Sequence, residues 1–481
     1  MSSAHSSTSA SGRSRAPHSR RYLILGICCC SVFLVSLDGT IVNVALPSIA
    51  RELHASVSTL QWTVDAYLLV LASLLLLSGS LADRIGRKRI FTVGVSLFTV
   101  GSLLCSLAPT DGWLIVFRMA QAVGGSAMTP VALAIVTNIF VSPADRARAI
   151  GTWAAVSGVG IAAGPLIGGF LIDSLGWRFI FWINVPTGIA VVILTLVFIP
   201  ESRAASPREL DPVGQVSAIV FLVTLVFVII ELPNLGLTSP LLGMGALVAV
   251  VSFVFLILYE RRRPQPLVPL PLFRQRTFAV AFSIAILGFL AFNALLFANT
   301  LYLQEVRGLP ASNAGILTLP LAAATIVAAP LSGRLLAQVG GRRPLVISGV
   351  TMCVGSLLLI VLTRTPAVLW LVIPYAVFGV GYGMLNAPIN DTAVSDLPDD
   401  QAGVAASLIS TSKQVGAALG VAIAGAIIAA HPGDPITSAF ATRGWIVWST
   451  VALCGAAILT LALPRKATSS APSSSADRKR A

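Results

Sequence analysis

Three ionisable side chains sit deep inside long apolar runs: Asp38 in LVSLDGTIVNV, Asp65 in WTVDAYLLV and Arg118 in LIVFRMAQAV. A charge at bilayer depth is costly and normally faces a partner or a wet cavity. Counted from the outer end of its run, Asp38 lies about nine residues in, or ~13 Å at the rise of a helix. Asp65 lies about eight residues in and Arg118 about six, so the three share one level. A buried acid beside a guanidinium is a proton-sensitive pair, because burial disfavours the carboxylate while the arginine favours it. The plainer alternative is a static ion pair that orders helices. Asp65 has aromatic neighbours in Trp62 and Tyr67. That setting suits a lipophilic cation through charge and cation–π attraction, and a proton site or a structural role are the alternatives.

The elements that must hold these residues follow from composition. The chain has 481 residues, 56% hydrophobic and 11% charged, against roughly 25% charged in an average soluble protein. So thin a polar coat excludes a soluble enzyme, a disordered chain and a disulfide-rich scaffold. Runs of about 20 mainly apolar residues, long enough to cross a bilayer, occur fourteen times: 22–47, 57–81, 90–108, 113–140, 147–172, 179–199, 213–232, 241–259, 278–303, 313–338, 344–363, 367–393, 402–430 and 444–463. The expected class is an all-α polytopic membrane protein with 14 transmembrane helices.

An even number of spans puts both termini on one side. Of 32 basic residues, 25 fall in the tails and connectors of that side and five on the other. This bias predicts cytoplasmic termini, and it removes the nucleic-acid reading that a net charge of +13 would otherwise invite. Residues 1–21 read as a disordered tail. The run that follows is too long for a signal peptide and contains Asp38, so it is expected to be a retained helix. Cys28, Cys29, Cys30, Cys105, Cys353 and Cys454 all fall inside spans without metal-ligand spacing. His5, His18, His54 and His431 lie in the tail or at span ends. No nucleophile–base set, metal cluster or phosphate loop is present, so neither an enzyme nor an ATP-driven pump is expected.

A repeat divides the chain. Gly79–Arg89 reads GSLADRIGRKR, and Gly333–Arg343 reads GRLLAQVGGRR, a worn copy with Ala337 in place of the aspartate. Related connectors at corresponding positions imply two related bundles, as in many secondary transporters. The expected organisation is a six-helix bundle over 22–200, an inserted helix pair with its linkers over 201–276, a second six-helix bundle over 277–464 and a tail over 465–481. The inserted helices are aliphatic on every side, which suits lipid or plain packing more than a hydrophilic solute.

In the first connector Gly79 and Asp83 share a helix face. Close approach of a neighbouring helix at the glycine, with Asp83 bonding it, is the expected arrangement. The string formed by Gly79, Asp83, Arg84, Gly86, Arg87 and Lys88 resembles motif A of the major facilitator superfamily, a gate at the cytoplasmic mouth. Span 5 carries Gly160, Gly164 and Gly168 at helical spacing, with Pro165 and Gly169. Small residues in this pattern permit close helix packing, and the whole string resembles motif C, the antiporter signature of drug:proton exporters in that superfamily. LDGTIVNVALP around Asp38 is similar to the first-helix motif of the fourteen-spanner, EmrB/QacA-type drug:proton antiporters. Arg118 and Gln121 stand in a string similar to motif B, which departs from it at Ala122, where a glycine is usual.

The resemblance extends over nearly the whole chain beyond residue 20. It implies the major facilitator fold, proton coupling at Asp38 and Arg118, and a substrate cavity drawing on Trp62, Asp65, Tyr67, Gln121, Asn386, Asn390 and Lys413. In the second half Asn386 and Asn390 share a face, and Asp391 beside them is either part of the cavity or merely solvated. Lys413 lies about 12 residues, or ~18 Å, into span 13 and requires a partner or a wet cavity. Glu231 is expected at the interface. The function implied is proton-driven export of lipophilic drugs or antibiotics, cationic ones among them, across the cell membrane by alternating access. It would use the proton gradient, without cofactor or metal, and the protein would act as a monomer. A dedicated exporter of one endogenous compound is the first alternative, and an intramembrane enzyme or sensor the remote one.

Overall fold

All fourteen apolar runs are helical in the structure, a computed structural model that describes residues 18–204, 211–263, 266–363, 367–431 and 434–463. In chain order the spans are α1 (His18–Leu53), α2 (Val57–Ile85), α3 (Arg87–Ser106), α4 (Asp111–Ile139), α5 (Pro143–Leu175), α6 (Phe179–Phe198), α7 (Pro212–Leu235), α8 (Pro240–Glu260), α9 (Arg276–Val306), α10 (Ala311–Val339), α11 (Arg342–Leu362), α12 (Val368–Val394), α13 (Asp399–Ile428) and α14 (Ile436–Ala462). The starts follow local capping chemistry. Ser56 Oγ accepts from Thr59 N at 3.2 Å, Thr110 Oγ1 from Trp113 N at 3.4 Å, and Asp211 Oδ1 from Gly214 N at 2.9 Å ahead of α7. Gly176, Gly236 and Gly340 end α5, α7 and α10 with positive φ, a backbone region that favours glycine.

Helix ends differ from the sequence expectation by several residues, as where α1 runs on to Leu53 and α5 starts at Pro143. His18–Arg21, expected in the disordered tail, continue α1, and Arg20 donates to the Phe198 carbonyl at 3.1 Å. A long cationic side chain lets a helix run past its apolar stretch and reach polar groups. α14 begins at Ile436 and not at 444, because Ile436, Ala439 and Phe440 extend the apolar pattern toward the connector. The first 17 residues and the tail over 465–481 lie outside the described residues.

Within the first half α1 packs on α5, α3 on α4 and α2 on α4; within the second, α9 packs on α13, α10 on α12 and α11 on α14. The halves meet along α1·α9, α2·α13 and α5·α10. The last two contacts are equivalents under the repeat that pairs α2 with α10 and α5 with α13. The inserted α7 breaks this symmetry: it packs on α8, α2 and α13, and so covers one of the two related seams.

Hydrogen bonds and ion pairs between the two halves, among the described side chains, all lie away from the arginine-rich connectors. Gln61 Nε2 donates to Ala422 O at 2.8 Å, Gln304 Nε2 to Val44 O at 2.9 Å, and Arg51 pairs with Glu305 at 3.6 Å. Asp173 at the end of α5 accepts from Ala311 N at 3.2 Å and Ser312 N at 2.8 Å, capping α10 of the opposite half. This end is called the far side below, and the opposite end the basic side.

Candidate functional site

Asp38, Arg118 and Gln121, expected on sequence grounds, meet in one closed cluster inside the first half. Arg118 Nη1 donates to Asp38 Oδ2 at 2.6 Å and to Gln121 Oε1 at 2.7 Å, while Gln121 Nε2 donates to Asp38 Oδ1 at 2.9 Å. Two residues that the sequence did not signal complete it. Asn184 Nδ2 reaches Asp38 Oδ1 at 3.2 Å and Ser102 Oγ at 2.9 Å; Gln121 Nε2 also donates to Ser102 Oγ at 3.2 Å. α6 is interrupted at Ile183, which starts its second part at Asn184. Asp38, Ser102, Gln121 and Asn184 are 0% exposed and Arg118 1%. Bonds to charged groups in so dry a place are short and strong, and removal of one partner strands the other.

Tyr67 and Gln121 differ from expectation, because both belong to this cluster and neither lines an open cavity. Gln121 is committed to Asp38 and Ser102. The Tyr67 ring lies 3.9 Å from the Arg118 guanidinium, as a cation–π partner, and is 1% exposed. Trp62 also differs: its indole Nε1 donates to Glu231 Oε1 at 2.9 Å, and its ring packs near Phe227 of α7. An amphipathic ring seeks an apolar wall with one acceptor, and the inserted helix supplies both. Glu231 is therefore engaged by Trp62 and Asn234.

Asp65 does not join Asp38 and Arg118 despite its similar depth. At 100° per residue its position on α2 falls between Gln61, which faces α13, and Trp62, which faces α7. It is 0% exposed, and neither carboxyl oxygen has a hydrogen-bond partner. In the second half Lys413 Nζ donates to Asn390 Oδ1 at 3.0 Å and lies 5.7 Å from the Phe289 ring centroid. Asn386 is half-buried one turn from Asn390, and Asp391 is exposed at the basic side.

The connector after α2 is tied to the end of α6 and to the linker that follows it. Asp83 accepts from Arg87 Nη2 at 2.9 Å, Arg87 N donates to Ser202 O at 2.9 Å, and Ala204 N donates to Asp83 O at 3.1 Å. Glu201, unnoticed in the sequence, accepts from Lys88 N at 3.0 Å, and Lys88 Nζ donates to Leu196 O at 2.7 Å. Gly86 turns the chain at φ 132°. The close approach expected at Gly79 is not made: a Cβ there would meet nothing within 4 Å, and the same holds for Gly333 in the related connector. The contacts between the halves gather at the far side, so both glycines face open space.

The span 5 glycines make the contacts that their spacing requires. A Cβ on Gly160 would lie 2.9 Å from Phe33 O, and one on Gly164 2.0 Å from Thr40 Oγ1. A Cβ on Gly168 would lie 2.7 Å from Ile41 Cγ1. A Cβ on Gly169 would lie 2.4 Å from Ala311 O of the other half, and one on Gly315 would meet Pro165 O at 2.3 Å. The six cysteines are free, and among the described residues no group of three or more His, Cys, Asp or Glu side chains could hold a metal ion.

A family model described as Major Facilitator Superfamily matches residues 28–421. The multidrug resistance protein Stp of Mycobacterium tuberculosis is 36% identical over 399 residues, covering 83% of this chain and 74% of its own. The tetracenomycin C resistance and export protein of Streptomyces glaucescens is 36% identical over 410 residues, covering 84% and 75%. Among solved structures, the inward-facing, occupied form of a bacterial homolog of the human lysosomal transporter Spinster superposes with a TM-score of 0.69. At 19% identity, over 93% of this chain and 97% of that one, the likeness is one of fold.

Proposed function

The chain belongs to the Major Facilitator Superfamily, and on that premise we propose that it is a proton-driven exporter of lipophilic drugs or antibiotics working by alternating access. Relatives that are multidrug and antibiotic efflux proteins support the substrate class. The observation that carries the coupling is the closed Asp38–Arg118 cluster. Both Asp38 oxygens accept hydrogen bonds, Oδ2 from the guanidinium at 2.6 Å and Oδ1 from two amides, an arrangement that suits the acid without its proton. That is the stage after a proton has left and before the drug departs.

A proton reaching Asp38 cancels the charge that gathers Arg118, Gln121 and Asn184, and the cluster loosens. α1 also carries the contacts to α5 and α9, so a rearrangement at Asp38 reaches the seam between the halves. With Asp38 charged and a drug aboard, the far-side contacts through Gln61, Arg51, Asp173 and Gln304 separate and the basic ends close at Gly79 and Gly333. A proton entering from the far side then discharges Asp38, and the halves return to the inward arrangement once the drug has left. The basic side faces the cytoplasm by its excess of arginine and lysine, so the present arrangement opens inward. The protein works in the cell membrane with both termini in the cytoplasm, as a monomer. The proton gradient supplies the energy, without cofactor or metal.

The tetracenomycin C relative favours a second reading, export of a single compound on the same machinery. A drug panel in an efflux-deficient host separates the two. Inverted vesicles under an imposed pH gradient test the coupling: the wild type should accumulate a panel compound, and Asp38→Asn should insert normally yet accumulate none.

A further inference from the structure

Charges available to a substrate are few. Asp38 and Arg118 neutralise each other within a sealed cluster. Asp65 is fully buried in this arrangement, and neither of its oxygens has a hydrogen-bond partner. Asp391 is exposed at the basic end. Lys413 remains, half-buried deep in α13, with an amide oxygen as its hydrogen-bond acceptor. Among the described residues no carboxylate lies within 4 Å of its ammonium.

The surroundings of Lys413 are aromatic. Phe289 lies beneath the ammonium, and Tyr382 packs edge-on to Phe289 at 5.6 Å. Tyr382 stacks on Phe292 at 3.9 Å with the rings 6° from parallel. Phe292 lies one turn along α9 from Phe289, and it also walls an apolar recess with Gly158, Ile161 and Pro165 of α5 and Leu321 of α10. Lys413 Nζ is 5.7 Å from the Phe289 ring, and Phe289 is about one helical turn, ~5 Å, from Phe292, so an extended flat aromatic body seated in that recess would point its polar edge toward Lys413.

We propose that Lys413 is the counter-charge for an acidic group, a carboxylate, sulfonate or phenolate, on a planar aromatic substrate seated against Phe292 and α5. An ammonium with no acid of its own attracts an anion most strongly where water is scarce, and it repels a cationic drug. The proposal deepens the export reading and rests on it for the direction of transport, whereas binding itself does not require proton coupling.

The test uses the full-length purified protein and two probes of like shape and opposite charge, anthracene-2-sulfonate and anthracen-2-yl-trimethylammonium. The wild type is expected to bind the sulfonate roughly tenfold or more tightly than the ammonium, the scale of one close charge pair. Lys413→Gln should abolish that preference and Lys413→Arg should keep it. Equal sulfonate affinity in Lys413→Gln, a wild-type preference for the ammonium, or no binding of either probe overturns the proposal. Intact sulfonate preference in a protein that exports no compound of a drug panel would instead refute the export reading alone.

Discussion

Arg118 Nη1 lies 2.6 Å from Asp38 Oδ2 across 80 residues of sequence, and neither side chain reaches solvent. Every bond of the Asp38 carboxylate stays within the first half. The second half touches α1 through Gln304 at Val44, two turns toward the far side. On the proposed mechanism the pair acts on the seam through movement of α1.

Loss of one charge of the pair should cost more stability than loss of both. Arg118→Ala leaves Asp38 buried and uncompensated, which costs about 3–5 kcal/mol. Asp38→Asn/Arg118→Gln removes both charges and should recover most of that loss. Thermal unfolding of the two variants in detergent checks the order. A double variant no more stable than Arg118→Ala would contradict it.

Asp173 caps α10 across the gap between the halves with two backbone hydrogen bonds. A lost cap costs about 1 kcal/mol, and that moves a two-state balance roughly fivefold. Asp173→Ala should shift the population toward far-side opening. Spin labels placed on α5 and α10 at that end should then report a larger share of long distances.

Gly164 and Gly79 should respond differently to added bulk. Gly164→Val drives a methyl-bearing carbon into Thr40 and should destabilise the protein by at least ~1–3 kcal/mol. Gly79→Val meets open space in this arrangement. It should leave thermal stability within about 0.5 kcal/mol while slowing transport, since the opposite state must close there. Unchanged transport by a well-folded Gly79→Val would remove the gate role.

Asp65 should tolerate neutralisation. An acid with two unpartnered oxygens in a dry seam gains nothing from a charge. Asp65→Asn should match or exceed the wild type in thermal stability. It should also leave cation binding unchanged, as measured with the trimethylammonium probe.

Much of the architecture was legible because bilayer physics leaves few options: fourteen apolar runs had to become helices, and the arginines marked one face. Asp38 and Arg118 were legible because a charge within an apolar run is rare. Ser102 and Asn184 were not, since a hydroxyl or amide in a membrane helix is commonplace and gains meaning only from what it meets. Trp62 was placed in the cavity because its direction depends on the inserted α7, whose docking no local pattern records. The close approach at Gly79 was read from spacing that serves a different arrangement of the halves. Glu201 escaped because its partners, the amides at the start of α3, leave no mark in side-chain chemistry.

The central claim is that Asp38 couples protons to export through Arg118. Its most direct test measures drug-induced proton release from inverted vesicles under an imposed pH gradient, for the wild type and for Asp38→Asn at equal membrane content. The account predicts that a transported panel compound collapses the gradient with the wild type and leaves it intact with Asp38→Asn. Equal collapse by both proteins would contradict it.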